Sequence, residues 1–299
     1  MSGLPRIVCI VGPTSSGKTA LSLEIAKQFD GEIVNADARQ VYRGFVIGTG
    51  QPTKEEQQGI PHHLFGFLEP EQIYTVTEWK TSALACIKDI VVRGKLPILV
   101  GGTGLYFQAL VDNYEPPAVP PQPELRAEME KRTLEQLVRQ LEKVDPDAVT
   151  WVDLKNRRRV ERALEVVTAT GKSFKAQRTQ GEKLVDALIL GRQRSPEELR
   201  ERINMAIEQM LARGWKEEVE VLHASGVAWD APAMTSIGYR DLGEFVRGDV
   251  SFEEALEHIR IATWQYAKRQ LTWFKRDERI RWLESNASAV KIVQTWKEG

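Results

Sequence analysis

One octapeptide, Gly12-Pro13-Thr14-Ser15-Ser16-Gly17-Lys18-Thr19, constrains the fold of this chain more than any other segment. It matches the pattern G-x-x-x-x-G-K-[ST] and lies between an apolar run, residues 7–11, and a helical pattern that begins at Lys18. A continuous apolar run is typical of a strand that is buried on both faces of a parallel sheet. The octapeptide is therefore predicted to be a phosphate-binding loop, or P-loop, between a strand and a helix.

The predicted P-loop indicates a site for a phosphate ester or a diphosphate. Its glycines let the backbone wrap around a phosphate, and the loop amides and the helix N-terminus supply positive potential. Lys18 adds a point charge, and the Thr19 hydroxyl is the expected protein ligand of a Mg²⁺ ion. A glycine-rich turn without a ligand is the alternative interpretation.

The first third of the chain alternates between strand and helix patterns, which is typical of an α/β fold. Residues 32–36 and 96–100 are predicted strands, and a capping box formed by Thr75 and Glu78 begins a helix between them. This order predicts a parallel sheet of the P-loop NTPase type, flanked by helices, with ligands at the carboxyl ends of its strands.

A proline-rich stretch, residues 114–123, ends the alternation, and helices are predicted over residues 123–144 and 156–170. A last strand pattern at residues 187–190 returns the chain to the sheet. The predicted domains are a P-loop catalytic core, residues 1–112 and 187–299, and a helical insertion domain, residues 113–186.

Composition excludes several classes of protein. The 299 residues include 41 Lys and Arg and 42 Asp and Glu, and this balance argues against a uniformly basic protein that coats nucleic acid. Two cysteines, Cys9 and Cys86, are too few for a disulfide framework and indicate a reducing, cytoplasmic location. No apolar run reaches the ~20 residues that a membrane span needs, so we expect no membrane association.

Asp37 is the candidate general base. ATPases place an acid after an apolar strand beside the P-loop, but Val100 is followed by Gly101-Gly102-Thr103-Gly104. Asp37 ends the second predicted strand and is expected beside the P-loop, where it could accept a proton or bind Mg²⁺. The alternative is a solvated turn aspartate.

Basic residues are concentrated in the predicted insertion. Residues 155–178 carry eight basic and two acidic side chains. The apolar positions of the predicted helix, among them Val160 and Leu164, form a buried stripe, so its arginines are expected on the other faces. A helix of this kind suits contacts with nucleic-acid phosphates, although an ordinary solvated helix face remains the alternative.

The chain resembles the tRNA dimethylallyltransferase (tRNA isopentenyltransferase, or IPP transferase) family. The resemblance extends over nearly the whole chain and is specific in its order and combination of motifs. The landmarks are residues 12–19, Asp37 with 40–44, 47–49, 61–64, 101–106, Arg159 with 162–166, 170–172, 202–204, 237–239 and 266–274.

The resemblance implies the reaction and its partners. Members of this family transfer a dimethylallyl group from dimethylallyl diphosphate to N6 of adenosine 37, next to the tRNA anticodon, and give N6-dimethylallyladenosine. Their P-loop holds the prenyl diphosphate, with Mg²⁺, rather than a nucleoside triphosphate, which agrees with the missing acid after Val100. We expect the insertion to bind the anticodon stem-loop, the target nucleotide to be flipped into the core, and the protein to act as a monomer.

The resemblance also implies roles for individual residues. Asp37 is the expected general base, and Thr103 helps to place the adenine or the diphosphate. The expected tRNA contacts are Asp37, Ala38, Arg39, Gln40, Thr103, Arg126, Arg158, Arg159, Val160, Glu161, Arg162, Lys268, Arg269 and Gln270.

Four departures from the family pattern bear on activity. Ala38 stands where the family usually has serine, Gly50-Gln51 where it has Ala-Lys, and Gly66 where it has aspartate. Ala206 replaces an arginine, four residues after Arg202, that contacts the diphosphate in the family. These departures put the efficiency and the prenyl donor in question.

Two other functions remain open at this point. A P-loop kinase for a small molecule would use Asp37 as the base for a hydroxyl acceptor and would bind ATP. A catalytically weakened relative would still bind tRNA, as the departures at Ala38, Gly66 and Ala206 suggest.

Overall fold

A computed structural model describes residues 3–177, 179–283 and 285–298. Arg178, which belongs to the basic stretch, lies outside these residues. The chain divides into two compact units. Unit 1 comprises Met1–Val111 and Lys183–Gly299, and unit 2 comprises Asp112–Glu182.

A six-stranded parallel sheet forms the centre of unit 1. Its strands are β1 (Arg6–Val11), β2 (Gly31–Asn35), β3 (His62–His63), β4 (Leu96–Val100), β7 (Asp186–Gly191) and β8 (Arg281–Trp282), in the order β3-β2-β4-β1-β7-β8. In register, Val8 of β1 lies between Ile98 and Leu188. β2, β4 and most of β1 are buried, as continuous apolar runs predict. The sequence missed the two-residue strands β3 and β8.

The helices of unit 1 pack partly on the sheet and partly on one another. They are α1 (Lys18–Phe29), α2 (Val76–Val92), α3 (Gly104–Val111), α7 (Pro196–Ala212), α8 (Trp215–Ala224), α9 (Tyr239–Val246), α10 (Phe252–Phe274) and α11 (Asn286–Glu298), with a 3-10 turn at Pro232–Thr235. Of these, α7–α10 share a separate hydrophobic core. The predicted capping box at α2 is confirmed, because the Thr75 side chain accepts from the N–H of Glu78 and the Glu78 carboxylate accepts from the N–H of Thr75.

Unit 2 is mainly helical. It contains α4 (Pro123–Glu130), α5 (Leu134–Val144) and α6 (Arg157–Thr170), 3-10 turns at Ala148–Thr150 and Lys175–Gln177, and a short antiparallel pair, β5 (Tyr114–Glu115) and β6 (Thr179–Gln180). The prediction of one helix over residues 123–144 is wrong. The segment breaks before Leu134, because Thr133 and Gln136 form a capping box that begins a new helix.

No helix in the described parts of the chain is both long enough and apolar enough to span a membrane.

Candidate active site

The P-loop joins the end of β1 to the start of α1, as the sequence predicts. Gly12 has a φ of 144°, and a Cβ atom there would lie 2.2 Å from the carbonyl oxygen of Arg192 at the end of β7, so only glycine fits. Gly17 precedes α1 with a φ of 95°. Lys18 turns back over the loop, and its Nζ donates to the carbonyl oxygen of Pro13 at 2.7 Å. The loop therefore has the cradle shape that a phosphate requires.

A cavity of about 380 Å³ opens at this loop. Besides P-loop residues, it is lined by Asp37, Gln40, Gly101 and Arg202. The cavity lies where the carboxyl ends of β1, β2 and β4 meet, which is the position expected for a ligand in a parallel α/β sheet.

The Asp37 carboxylate is held by the loop that follows β2. Its Oδ1 accepts from the N–H of Arg39 at 2.8 Å. The buried Asn35 side chain secures the start of the loop, since it accepts from the N–H of Asp37 at 2.8 Å and donates to the carbonyl oxygens of Asp37 and Leu64. Asp37 therefore occupies a fixed position at the cavity wall.

The glycines after β4 bring Asp37 and the P-loop to one cavity. β4 lies between β2 and β1, so Asp37 is not on the strand next to the P-loop. Gly101 and Gly102 carry no side chains, and a Cβ atom at Gly101 would lie 2.1 Å from the carbonyl oxygen of Ala36. The space above the end of β4 thus remains open between Asp37 and Lys18.

The two charged groups of the cavity affect each other. Burial lowers the pKa of Lys18 to about 8, and the nearby Asp37 carboxylate opposes this shift. Burial raises the pKa of Asp37, against the N–H bond from Arg39 and the charge of Lys18. The environment thus raises the proton affinity of Asp37, with the Lys18 charge opposing the shift, and a raised proton affinity suits a general base.

A second cavity, of about 480 Å³, adjoins the first. Asp37 and Ala206 line both cavities. The wall of the second cavity combines aromatic and apolar residues, among them Trp215, Ile203 and Tyr266, with several hydroxyl groups. Asp37 therefore lies on the walls of both the P-loop cavity and a second cavity whose aromatic surface suits a planar group.

Thr103 acts on the position of Asp37. Its Oγ1 accepts from the N–H of Ala38 at 3.0 Å, and its own N–H donates to the carbonyl oxygen of Ala36. The Thr103 side chain also shares a hydrogen bond with Tyr266. Because these bonds hold the residues on each side of Asp37, Thr103 is placed as a positioning residue.

Sequence reasoning assigned no role to Tyr266, although it lies within a family landmark. Burial raises the pKa of its phenol, and the charge of Asp37 raises it further, so this group is a neutral O–H at neutral pH. The signal that could have identified Tyr266 is its position four residues before Gln270 on α10, because residues four apart share a helix face.

Gln270, predicted as a tRNA contact, lies in the interior instead. Its side chain is 5% exposed. Its Oε1 accepts from the N–H of Thr14 at 2.8 Å, and its Nε2 donates to the carbonyl oxygen of Gly102 at 3.0 Å. Gln270 therefore joins the P-loop to the glycine turn after β4, and its amide is occupied by these backbone groups.

The other residues of unit 1 that are predicted to contact tRNA lie in three different places. Ala38 and Arg39 line the second cavity, and the Arg39 guanidinium donates to Thr235 Oγ1 at 2.8 Å. Gln40 lines the first cavity and donates to the carbonyl oxygens of Thr49 and Gly50. Lys268 and Arg269 are exposed on α10, and of these two only Arg269 lines the second cavity.

The basic residues of unit 2 divide into anchored and exposed groups. Arg126 forms a two-bond ion pair with the buried Glu165, at 2.6 and 2.9 Å. Arg162 donates to Glu165 and to the carbonyl oxygens of Pro117 and Val119. These two guanidiniums hold unit 2 together, so their availability to tRNA is smaller than the sequence predicts.

Val160 lies in the hydrophobic core of unit 2 and is fully buried, so the prediction that it contacts tRNA is wrong for its side chain. Glu161 accepts from Arg157 at 2.6 Å. Arg158 and Arg159 are exposed, and their guanidiniums have no partner within the residues that the structure describes. Of the predicted stretch 158–162, these two arginines are the free cations.

Two of the departures from the family pattern contact each other. Gln51 is buried and donates from Nε2 to the carbonyl oxygens of Tyr42 and Phe45 at 2.8 and 2.9 Å. A Cβ atom at Gly66 would lie 2.9 Å from Gln51 Oε1. A side chain at residue 66 would therefore compete with the Gln51 amide for space.

The residues at the first cavity suit a magnesium ion. The Thr19 hydroxyl lines the cavity and has no hydrogen-bond partner in the described ranges. Mg²⁺ prefers oxygen ligands and usually binds through one or two protein oxygens together with phosphate oxygens and water. Thr19, with the Asp37 carboxylate on the same wall, provides such oxygens.

Comparisons with known proteins agree on one family. The sequence profile of the IPP transferase family matches residues 40–277, and that of the isopentenyl transferase family matches residues 5–65. A tRNA dimethylallyltransferase of Thermomicrobium roseum is 43% identical over 282 residues, which cover 93% of this chain and 86% of the relative.

Two solved structures have the same fold. The tRNA isopentenylpyrophosphate transferase of Bacillus halodurans superposes with a TM-score of 0.74 at 33% identity, over 99% of this chain and 96% of the other. A eukaryotic dimethylallyltransferase that acts on tRNA superposes with a TM-score of 0.79 at 28% identity, over 96% of this chain and 77% of the other.

Proposed function

The chain belongs to the IPP transferase family, and from this membership we propose that it transfers a dimethylallyl group from dimethylallyl diphosphate to N6 of adenosine 37 in tRNA. The observation that carries the proposal is the position of Asp37, which lines both the P-loop cavity and the second cavity beside it. A base at that junction faces a diphosphate on one side and a flipped adenine on the other.

The P-loop residues would stabilise the leaving group. Cleavage of the bond between the allylic carbon and oxygen leaves negative charge on the diphosphate, and preorganised donors stabilise such charge. Here the donors are the loop amides, the N-terminus of α1 and the Lys18 ammonium. Thr19 would hold a Mg²⁺ ion, which supplies further charge neutralisation when it is bound.

Asp37 would accept the proton from the adenine. The exocyclic amine of adenine is a weak nucleophile because its lone pair is delocalised into the ring. As the new bond between carbon and N6 forms, the amine becomes acidic, and a carboxylate within hydrogen-bond reach takes its proton. Thr103 and Asn35 keep the Asp37 carboxylate in place through the backbone bonds described above.

The direct test is product analysis with purified protein. We expect dimethylallyl diphosphate and an anticodon stem-loop RNA to yield N6-dimethylallyladenosine, measured by mass spectrometry of digested nucleosides. A stem-loop with guanosine at position 37 is the matched control and should yield none. Binding of ATP in place of the prenyl diphosphate would favour a kinase, and tRNA binding without product would favour the weakened relative.

We predict that diphosphate binding weakens as the pH rises above about 8. The charged form of Lys18 binds the anion, and burial lowers the pKa of Lys18 to about 8 in the free protein. The interaction is complete below that pH, and above it the apparent affinity falls by up to about tenfold per pH unit. Calorimetry with inorganic diphosphate measures this change.

The pH control is the Lys18→Met variant, which should bind weakly at every pH. Dividing the affinity of the wild type by that of the variant cancels the effect of the ionisation of diphosphate itself. A ratio that stays constant from about pH 7 to about pH 9 would contradict the role assigned to Lys18.

We further propose that unit 2 binds the tRNA backbone through Arg158 and Arg159. These guanidiniums are exposed and unpartnered in the part of the chain that the structure describes. They follow the N-cap Asn156 of α6, whose opposite face is packed into the core of unit 2. An anchored helix with free arginines suits phosphate contacts.

Reversing both charges, with Arg158→Glu and Arg159→Glu, is expected to weaken tRNA binding and to flatten its salt dependence. Each lost phosphate contact should reduce the slope of log K against log salt by about 0.7–0.9. The matched control reverses Lys27 and Lys88, exposed lysines of α1 and α2. Equal slopes for the wild type and the Arg158/Arg159 variant would make this face an ordinary solvated surface.

A further inference from the structure

Three arginines converge on consecutive residues of the P-loop. Arg202 Nε donates to the carbonyl oxygen of Ser15 at 2.8 Å, and Arg194 Nε donates to that of Ser16 at 3.4 Å. Arg192 Nη2 lies 3.6 Å from the position that a Cβ atom would take at Gly17. All three come from the end of β7 and the first turns of α7, on the side of the P-loop away from β4.

The positive charge of this cluster is only partly neutralised. Glu198 pairs with Arg194 at 3.1 Å, and it is the one carboxylate that forms an ion pair with the cluster within the described ranges. Arg202 uses its Nε on a backbone carbonyl. The three guanidiniums exceed the carboxylates near them, Glu198 and Glu24, and leave excess positive charge beside the phosphate cradle.

Of the three arginines, Arg192 has the least favourable environment for a charged side chain. It is 7% exposed, and its Nε is buried without an acceptor in the described part of the chain. Burial lowers the pKa of the Arg192 guanidinium, and the charges of Arg194 and Arg202 lower it further. A buried charge without a partner destabilises a fold unless something compensates it, and an anion in the P-loop is the group that would do so.

Residue 206, where the family carries an arginine, is an uncharged alanine in this chain. Ala206 follows Arg202 by one helical turn and lines both cavities. The chain thus lacks a guanidinium at residue 206 but holds Arg192 at the end of β7, where the backbone N–H of Arg192 donates to the carbonyl oxygen of Val11 at 2.8 Å.

We infer that Arg192 takes the place of the arginine missing at residue 206, and that it supplies the charge that holds the terminal phosphate of the donor in the P-loop. The inference rests on the proposed function of the P-loop as a diphosphate site. Arg202 lines the P-loop cavity, whereas Arg192 lies beside Gly17 and acts on the leaving group through its charge.

The test is calorimetric titration with inorganic diphosphate. The Arg192→Met variant should bind diphosphate about tenfold more weakly, because one positive charge beside the phosphate cradle is lost. Binding of dimethylallyl diphosphate should fall by the same factor, since only phosphate is affected. The control is Arg200→Met on α7, because Arg200 is exposed and stacks on Trp264 at 4.8 Å.

A second readout separates binding from folding. Without ligand, the thermal midpoint of Arg192→Met should equal or exceed that of the wild type, because an unpaired buried charge is removed. With diphosphate, its stabilisation should be smaller than that of the wild type. If the methionine variant does not fold, Arg192→Gln replaces it, and Arg192→Lys should restore most of the affinity.

Ala206→Arg gives the complementary result. If Arg192 already serves the phosphate, a further guanidinium adds repulsion, and diphosphate affinity should be equal or lower. Tighter binding by Ala206→Arg, or wild-type affinity in Arg192→Met, would overturn the inference. Failure of the wild type to bind diphosphate at all would instead refute the proposed function.

Discussion

Replacing Asp37 with asparagine is expected to lower turnover by about 10²–10⁴-fold, the range for loss of a general base. The reason is chemical, because an amide cannot accept the proton of N6. The structure predicts that the fold survives, since the Oδ1 of asparagine can still accept the 2.8 Å bond from the N–H of Arg39. Binding of diphosphate and tRNA should therefore change by no more than a fewfold.

Single-turnover kinetics with saturating tRNA measures this effect. Asp230→Asn, at an exposed position of unit 1, is the control and should keep wild-type turnover. Turnover of Asp37→Asn within a fewfold of the wild type would mean that another group takes the proton.

Replacing Gly101 with alanine should also have a large effect. Its Cβ atom would lie 2.1 Å from the carbonyl oxygen of Ala36, so the ends of β2 and β4 must move apart. Overpacking of this kind costs about 1–3 kcal/mol of unfolding free energy, and sometimes more. Ala36 directly precedes Asp37, and a shift of ~1 Å in a catalytic group can lower the rate about 10²-fold.

The control for Gly101→Ala is Gly94→Ala, before the same strand. Gly94 has a φ of 75° and open space around its Cβ position, so alanine there costs only backbone strain, about 1–2 kcal/mol. Both variants should lose stability in denaturant unfolding, but Gly101→Ala alone should lose turnover at a temperature where both are folded. Equal turnover would show that the site tolerates movement of these strand ends.

Much of the architecture can be predicted from the sequence because its signals are local. The apolar run before Gly12 and the octapeptide after it specify strand, loop and helix within about 20 residues, and the Thr75 cap specifies the start of α2. The helix break before Leu134 was predicted wrongly, although Thr133 and Gln136 carry the same kind of signal. The short strands β3 and β8 were missed because two residues show no periodicity.

The division of roles among the arginines could not be predicted in this way. Arg158 and Arg162 lie one helical turn apart in a single basic run, yet one is exposed and the other is bound to Glu165 and two carbonyl oxygens. Likewise, the role inferred for Arg192 depends on the P-loop that lies beside it in the fold, and its neighbours in sequence do not indicate that role. Contacts between distant segments decide these roles.

The sequence by itself determined that this protein has a P-loop on a parallel sheet, because spacing within one short segment specifies the phosphate cradle. Only the tertiary structure decided how Asp37 reaches that cradle. It inserts β4 between β2 and β1, leaves the end of β4 without side chains, and joins Thr14 to Gln270 across 256 residues. Such contacts depend on strand order and on the packing of α10, and these arise from the balance of burial and hydrogen bonding over the whole fold.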